Sequence, residues 1–158
     1  MMSVTCKSVK RSVLFVRRDG EVYRLAAPLH VDCECLLDGK RTVLVHFEFA
    51  YGFACDGLSV PSAFRWFLKN WDLENDLYNI AGIVHDALYG NKGFCTFDRD
   101  ECDAIFRGIL RESGCNRLHA STADFAVGLC AKSHWGDDSL HCRDLATMSV
   151  KNLSEDFK

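Results

Sequence analysis

The stretch Leu29-His30-Val31-Asp32-Cys33-Glu34-Cys35-Leu36-Leu37-Asp38-Gly39-Lys40-Arg41-Thr42-Val43-Leu44-Val45-His46-Phe47-Glu48-Phe49 decides the first half of the fold. Asp38-Gly39 stands between two apolar-rich runs, Leu29–Leu37 and Thr42–Phe49, and a dipeptide of that kind is a strong hairpin signal. In the second run Val43, Val45, Phe47 and Phe49 point one way and Leu44, His46 and Glu48 the other, because successive side chains of a strand alternate between faces. One face is core and the other is mixed. Asp19-Gly20 repeats the signal upstream, between Ser12–Arg17 and Glu21–Leu25.

Beyond Phe49 the periodicity changes. Gly52 and Gly57 break the strand pattern over Tyr51–Val60. Pro61 suits the first turn of a helix running to about Asn70, with Phe64, Phe67 and Leu68 on its apolar stripe. Leu77, Ile80, Ala81, Val84 and Leu88 then follow helical spacing and predict a helix over Glu74–Tyr89, ended by Gly90. Asp98-Arg99-Asp100-Glu101 is a capping-box pattern that opens a third helix, burying Cys102, Ile105, Phe106 and Ile109 and stopping near Gly114. A fourth is expected over Arg117–Trp135. Strands first and helices after predict an α+β protein: antiparallel hairpins forming a small sheet, then a bundle of about four helices. Residues 1–135 read as a single α+β domain and residues 136–158 as a polar arm or disordered end.

The 158 residues, 48% hydrophobic and 26% charged, have the composition of a soluble globular domain able to bury its own core. A net charge of -3 exerts no global pull toward nucleic acid or anionic membrane, and no nucleic-acid signature stands out. Lys7, Lys10, Arg11, Arg17 and Arg18 crowd the first eighteen residues without an acid and read as a solvated strand edge before a phosphate-binding patch. No run of roughly 18 apolar residues predicts a membrane span, and no signal-type leader is recognised. A host cytoplasm or a virion is the expected location. Nine cysteines, an odd number without a Cys-x-x-Cys pair, fit small buried thiols better than a disulfide framework.

Chemistry concentrates in Ile83-Val84-His85-Asp86-Ala87-Leu88-Tyr89. Titratable groups inside an apolar helical pattern must find partners or do chemistry. At 100° per residue His85 falls about 80° from the centre of the stripe, at its half-buried edge. Tyr89 lies one turn on, beside it, and Asp86 faces away from the stripe centre. Asp103 sits on the flank of the next helix, so antiparallel pairing would bring it toward His85. An imidazole oriented by a carboxylate is a general base. Asp86, with Asp56 and carbonyl oxygens of the loop around Gly52, Cys55 and Gly57, would suit a hard cation such as Ca2+ that polarises an ester carbonyl. The competing reading makes His85, Asp103 and Tyr89 a hydrogen-bonded brace between helices.

Other features read more plainly. Asp56 or Ser59 caps the helix at Pro61. Cys33-x-Cys35 puts two thiols on one strand face, and His30 or His46 would complete a zinc set of unusual spacing. Phe64, Trp66, Phe67 and Trp71 form an aromatic cluster, with core packing the default.

These motifs resemble a phage- and prophage-associated family, the domain of unknown function 1353. The resemblance rests on Asp56-Gly57-Leu58-Ser59-Val60-Pro61, His85-Asp86-Ala87-Leu88-Tyr89, Cys102-Asp103-Ala104-Ile105-Phe106 and Trp135, over roughly Phe47–Trp135. It implies viral or prophage origin, with other virion or host proteins as partners, and no particular reaction. More locally, His85-Asp86-x-x-Tyr89 followed by Asp103 resembles the active-site helices of phospholipase A2, with Tyr51-Gly52-x-x-Cys55-x-Gly57 similar to its calcium loop. Val84 stands where that family has a cysteine, and the loop is farther from the histidine and poorer in glycine. The resemblance implies His85 as base, Asp86 as calcium ligand and Asp103 as the group orienting the histidine. The expectation is a virion-associated or accessory protein, acting as a calcium-assisted ester or lipid hydrolase or else as a structural or host-interaction protein.

Overall fold

A computed structural model describes residues 2–56, 71–114, 135–138 and 140–153. Seven strands and two α-helices are present among them. β1 (Val4–Arg11), β4 (Leu29–Leu37), β5 (Arg41–Phe49) and β7 (Ala146–Asn152) form a four-stranded antiparallel sheet in the order β1-β4-β5-β7. β2 (Val16–Asp19), β3 (Val22–Leu25) and β6 (Ala54–Cys55) form a second sheet in that order. The helices are α1 (Asp76–Gly90) and α2 (Arg99–Glu112).

Both hairpins form where the Asp-Gly dipeptides predict them. β4 and β5 pair without a break from Leu29 opposite Phe49 to Leu37 opposite Arg41. Leu29, Val31, Cys33, Cys35 and Leu37 lie on the inner face with Val43, Val45, Phe47 and Phe49, all buried. The alternation of side chains puts His30, Asp32, His46 and Glu48 on the opposite face. Zinc shared by Cys33, Cys35 and a strand histidine is therefore excluded, because the sheet itself separates thiols from imidazoles.

The polar end of the chain contributes β7. It reads as an arm or a disordered end because only Ala146 is buried while Thr147, Ser149, Val150 and Lys151 are exposed. Such a pattern is that of an edge strand, held by ladder hydrogen bonds rather than by an apolar face. β1 is the other edge and carries Lys7, Lys10 and Arg11, while Arg17 and Arg18 lie on β2, an edge of the second sheet. Four helices are expected from the sequence and the described residues contain two. The spans proposed for the others, 61–70 and 117–135, lie outside the described residues except for Trp135, which is in a turn; Ser59, Phe64, Trp66 and Phe67 also lie outside them. Trp71 stacks on Tyr23, with ring centroids 3.9 Å apart.

α2 starts as its sequence dictates. The Asp98 carboxylate accepts from the Glu101 amide at 2.9 Å, and the Asp98 amide donates to Glu101 Oε2 at 2.8 Å. Asn75 caps α1 by accepting from the Tyr78 amide, and its side-chain amide donates to the Ser113 carbonyl at 2.9 Å. The start of α1 thus meets the end of α2, so the two helices run antiparallel. Asn79 is buried, yet it is satisfied: its amide group exchanges two hydrogen bonds with the backbone of Asp72.

The reversal between the helices is tight. Lys92, Gly93, Phe94 and Cys95 all have positive φ, from 49° to 64°. Left-handed geometry costs an ordinary residue about 1–2 kcal/mol. Packing offsets it, for a Cβ on Gly93 would meet Cys102 Sγ at 3.3 Å and Phe97 at 3.4 Å. This turn fixes the register in which α1 faces α2.

α2 lies against β1. At the contact, a Cβ on Gly108 would come within 2.2 Å of Cys6 Cβ. Gly108→Ala improves helix propensity by about 1 kcal/mol, but the collision pushes helix and strand apart at a typical overpacking cost of about 1–3 kcal/mol. The expected outcome is a net loss of stability, read as a lower urea midpoint at unchanged slope.

Candidate functional site

The seam between α1 and α2 gathers three of the residues singled out by the sequence. His85 and Tyr89 are one turn apart on α1, and Asp103 lies in the second turn of α2. The Tyr89 hydroxyl donates to Asp103 Oδ1 at 2.6 Å. His85 Nε2 lies 3.5 Å from the same oxygen, with 12% of the histidine side chain and 15% of the aspartate side chain exposed. That separation is beyond a good hydrogen bond. His85 Nε2 is buried and makes none among the described residues. The imidazole is held by rings instead, with centroid distances of 4.1 Å to Tyr89 and 4.8 Å to Phe106.

Burial pushes the Tyr89 hydroxyl well above its ordinary pKa, and its hydrogen bond to the Asp103 carboxylate adds to the shift. Tyr89 is accordingly a permanent donor at neutral pH. It points one carboxylate oxygen of Asp103 into the seam beside His85. The sequence places Tyr89 next to His85; its bond to Asp103 follows only once the helix register is known.

Trp135 closes one end. Its ring meets Tyr89 edge-on at 5.1 Å, and the Gly136 amide donates to the Tyr89 carbonyl at 2.8 Å. A wide, shallow depression of about 380 Å³ lies outside it, lined by Asp98, Arg99, Asp100 and Trp135.

Asp86 belongs to a different neighbourhood. Consecutive helix positions diverge by about 100°, so Asp86 turns toward β6 while His85 turns toward α2. Cys55, Asp56 and Asp86 each bring one ligand-type atom within 4.8 Å of the others. Burial raises the Asp86 pKa, the negative charge of Asp56 raises it further, and a hydrogen bond with the Cys55 thiol works in the opposite sense. Two carboxylates crowded this way favour either a shared proton or a cation. Asp56 and Asp86, paired in the sequence reading, lie near each other, and Cys55, given only a backbone role there, brings its thiol to them. Its thiol is a soft donor that suits zinc-like ions better than calcium. Gly52, expected to lend a carbonyl, instead faces a cation: Arg24 Nη1 lies 3.5 Å from its oxygen. Gly57 lies outside the described residues.

The fold is thus a two-sheet α+β protein with a His-Tyr-Asp seam between paired helices and a carboxylate pair on the adjacent helix face. The chain belongs to the family described as protein of unknown function (DUF1353), whose profile matches residues 29–127. The match takes in β4, β5, both helices and His85, Tyr89 and Asp103. No curated protein and no solved structure matches the chain. Among the described residues no helix is long and apolar enough to cross a membrane.

The seam makes a quantitative demand. Tyr89→Phe leaves a poorly solvated carboxylate short of a donor and should lower stability by about 1–3 kcal/mol. Asp103→Asn should lower it too. Because the two groups share one bond, their double variant should lose less than the sum of the singles, with a coupling on the order of 1 kcal/mol in denaturant titrations.

Proposed function

We propose that this is a phage-encoded accessory or virion-associated protein that hydrolyses an ester of the lipid type, with His85 as general base. The observation that carries the reading is the approach of His85 Nε2 to Asp103 Oδ1, 3.5 Å apart, in a seam where Tyr89 already fixes that carboxylate. A small closure would turn the contact into a hydrogen bond, as catalytic bonds often tighten only with substrate bound. Asp103 would then hold the proton on Nε2 and stabilise the imidazolium, leaving Nδ1 to act. Nδ1 would take a proton from water as the water oxygen adds to the ester carbonyl carbon. Collapse would break the carbon–oxygen bond and return that proton to the leaving alcohol. A cation held by Asp86 and Asp56 would polarise the carbonyl from the adjacent face. The local resemblance to phospholipase A2 supports the same roles, and the phage setting rests on the association that the motif resemblance implies. Calcium is the cation that resemblance implies; the Cys55 thiol favours a softer ion.

A second reading has its own observation. The Tyr89 hydroxyl at 2.6 Å is Asp103's close partner, and His85 is nearly enclosed between Tyr89 and Phe106. On that reading the network braces the helices and the protein serves a structural or host-interaction role.

The two readings separate in a screen of ester and phospholipid substrates, with and without calcium, using His85→Gln as control. The hydrolase reading expects turnover in the wild type and a loss of roughly 10²–10⁴-fold in the variant. It also expects calcium to raise the melting temperature of the wild type but not of Asp86→Asn. Equal rates from wild type and His85→Gln would retire it in favour of the brace.

A further inference from the structure

The solvent face of the β4–β5 hairpin carries a second cluster, remote in character from the helix seam. His30 stands directly opposite Glu48, and Asp32 directly opposite His46. Along each strand the two residues are two positions apart, so all four project from one face as the corners of a square. His46 Nε2 lies 3.1 Å from Glu48 Oε1, and His30 Nδ1 lies 3.6 Å from the same oxygen. The three ligand-type atoms of His30, His46 and Glu48 all fall within 4.8 Å of one another. The other ring nitrogen of His46, Nδ1, makes a short hydrogen bond to Asp32 Oδ1.

Around a tetrahedral zinc ion, donors at ordinary bond lengths are separated by roughly 3.3–3.5 Å. The two distances to Glu48 bracket that value, and the third edge of the triangle, between the two imidazoles, is within 4.8 Å. The Asp32 contact is the arrangement that a ligating histidine typically requires. A carboxylate takes the remote N–H, fixes the tautomer and leaves the opposite nitrogen's lone pair for the metal. The register of nine consecutive residue pairs holds all four positions on a regular sheet. Among the described residues, Asp32 and Glu48 pair with the two histidines of the cluster. His30 and Glu48 are about half exposed, which leaves room for water at a fourth coordination position.

We propose that His30, His46 and Glu48 form a binding site for a zinc-like divalent ion, with Asp32 orienting His46. Two imidazoles and a carboxylate select zinc, cobalt or nickel over calcium. The site is independent of the hydrolase reading, shares no residue with it, and stands or falls separately.

The test titrates the full chain with Zn2+ by calorimetry and with Co2+ by visible absorption, in parallel with His30→Ala/His46→Ala and Asp32→Asn. All three substitutions sit on an exposed or half-exposed sheet face, and circular dichroism checks that the strands persist. The wild type is expected to bind one equivalent of zinc more than the double variant, and to give cobalt an intense low-symmetry absorption that the double variant lacks. Asp32→Asn should retain the stoichiometry with affinity weaker by roughly 10- to 100-fold. Ring resonances of His30 and His46 in the wild type should move together as zinc is added, a readout that needs no variant. Zinc binding unchanged in the double variant would overturn the proposal by placing the ion elsewhere, on the thiols or on Cys55, Asp56 and Asp86. Absence of binding to the wild type, or histidine resonances indifferent to zinc, would overturn it equally.

Discussion

The hydroxyl of Tyr89 and the carboxylate of Asp103 meet across the α1–α2 seam, and the geometry around His85 depends on that contact. A carboxylate in a mostly buried seam needs a donor to offset its lost hydration. His85 stands too far away to serve, and the tyrosine serves instead. The contact also requires a particular helix register, one that places the last turn of α1 beside the second turn of α2. The left-handed turn at 92–95 supplies it, and the Asn75–Ser113 bond holds the far end of the pair. Local strain at the reversal and polar pairing along the seam are thus two parts of one arrangement.

His85 and Asp86 are neighbours in sequence and strangers in space. The pitch of the helix sends the imidazole toward α2 and the carboxylate toward β6. Each side chain therefore draws its surroundings from a different part of the chain. His85 takes one ring from its own helix and a second ring and a carboxylate from the following one, and Asp86 takes a thiol from the preceding strand and a carboxylate from the residue just after it. A substrate that used both would have to lie across the helix at that point, between the two sheet-borne and helix-borne walls. The division keeps the imidazole of His85 and the carboxylate of Asp86 in separate surroundings although the two residues are adjacent in the chain.

Much of this was legible in the sequence where local rules dominate. The two Asp-Gly hairpins, the capping box at Asp98 and the helix ends near Gly90 and Gly114 follow from short-range chemistry, and the structure has them. The meeting of His85 with Asp103 follows from helix periodicity plus one assumption of antiparallel packing. β1 and β7 were not legible, since edge strands are held by backbone pairing and show little apolar alternation. Nor was the split into two sheets, because β6 has two residues and no pattern of its own. Asn79 and the bond from Tyr89 to Asp103 depend on which backbone or side chain arrives opposite, and that is tertiary information.

The β4–β5 hairpin shows how strictly a strand's period of two sorts chemistry. Every second residue is committed to the core, and the cysteines at 33 and 35 go with it as small apolar groups. The residues between them are released from packing and are free to be His, Asp and Glu. Had the register slipped by one position, the imidazoles and carboxylates would be buried without solvation and the phenylalanines exposed. The cost of burying that many polar groups far exceeds that of any single turn defect. The inner face therefore pins the register, and the register in turn pins the distances between the outer-face histidines and Glu48. A polar constellation on this surface is positioned by hydrophobic burial on the other side of the same two strands.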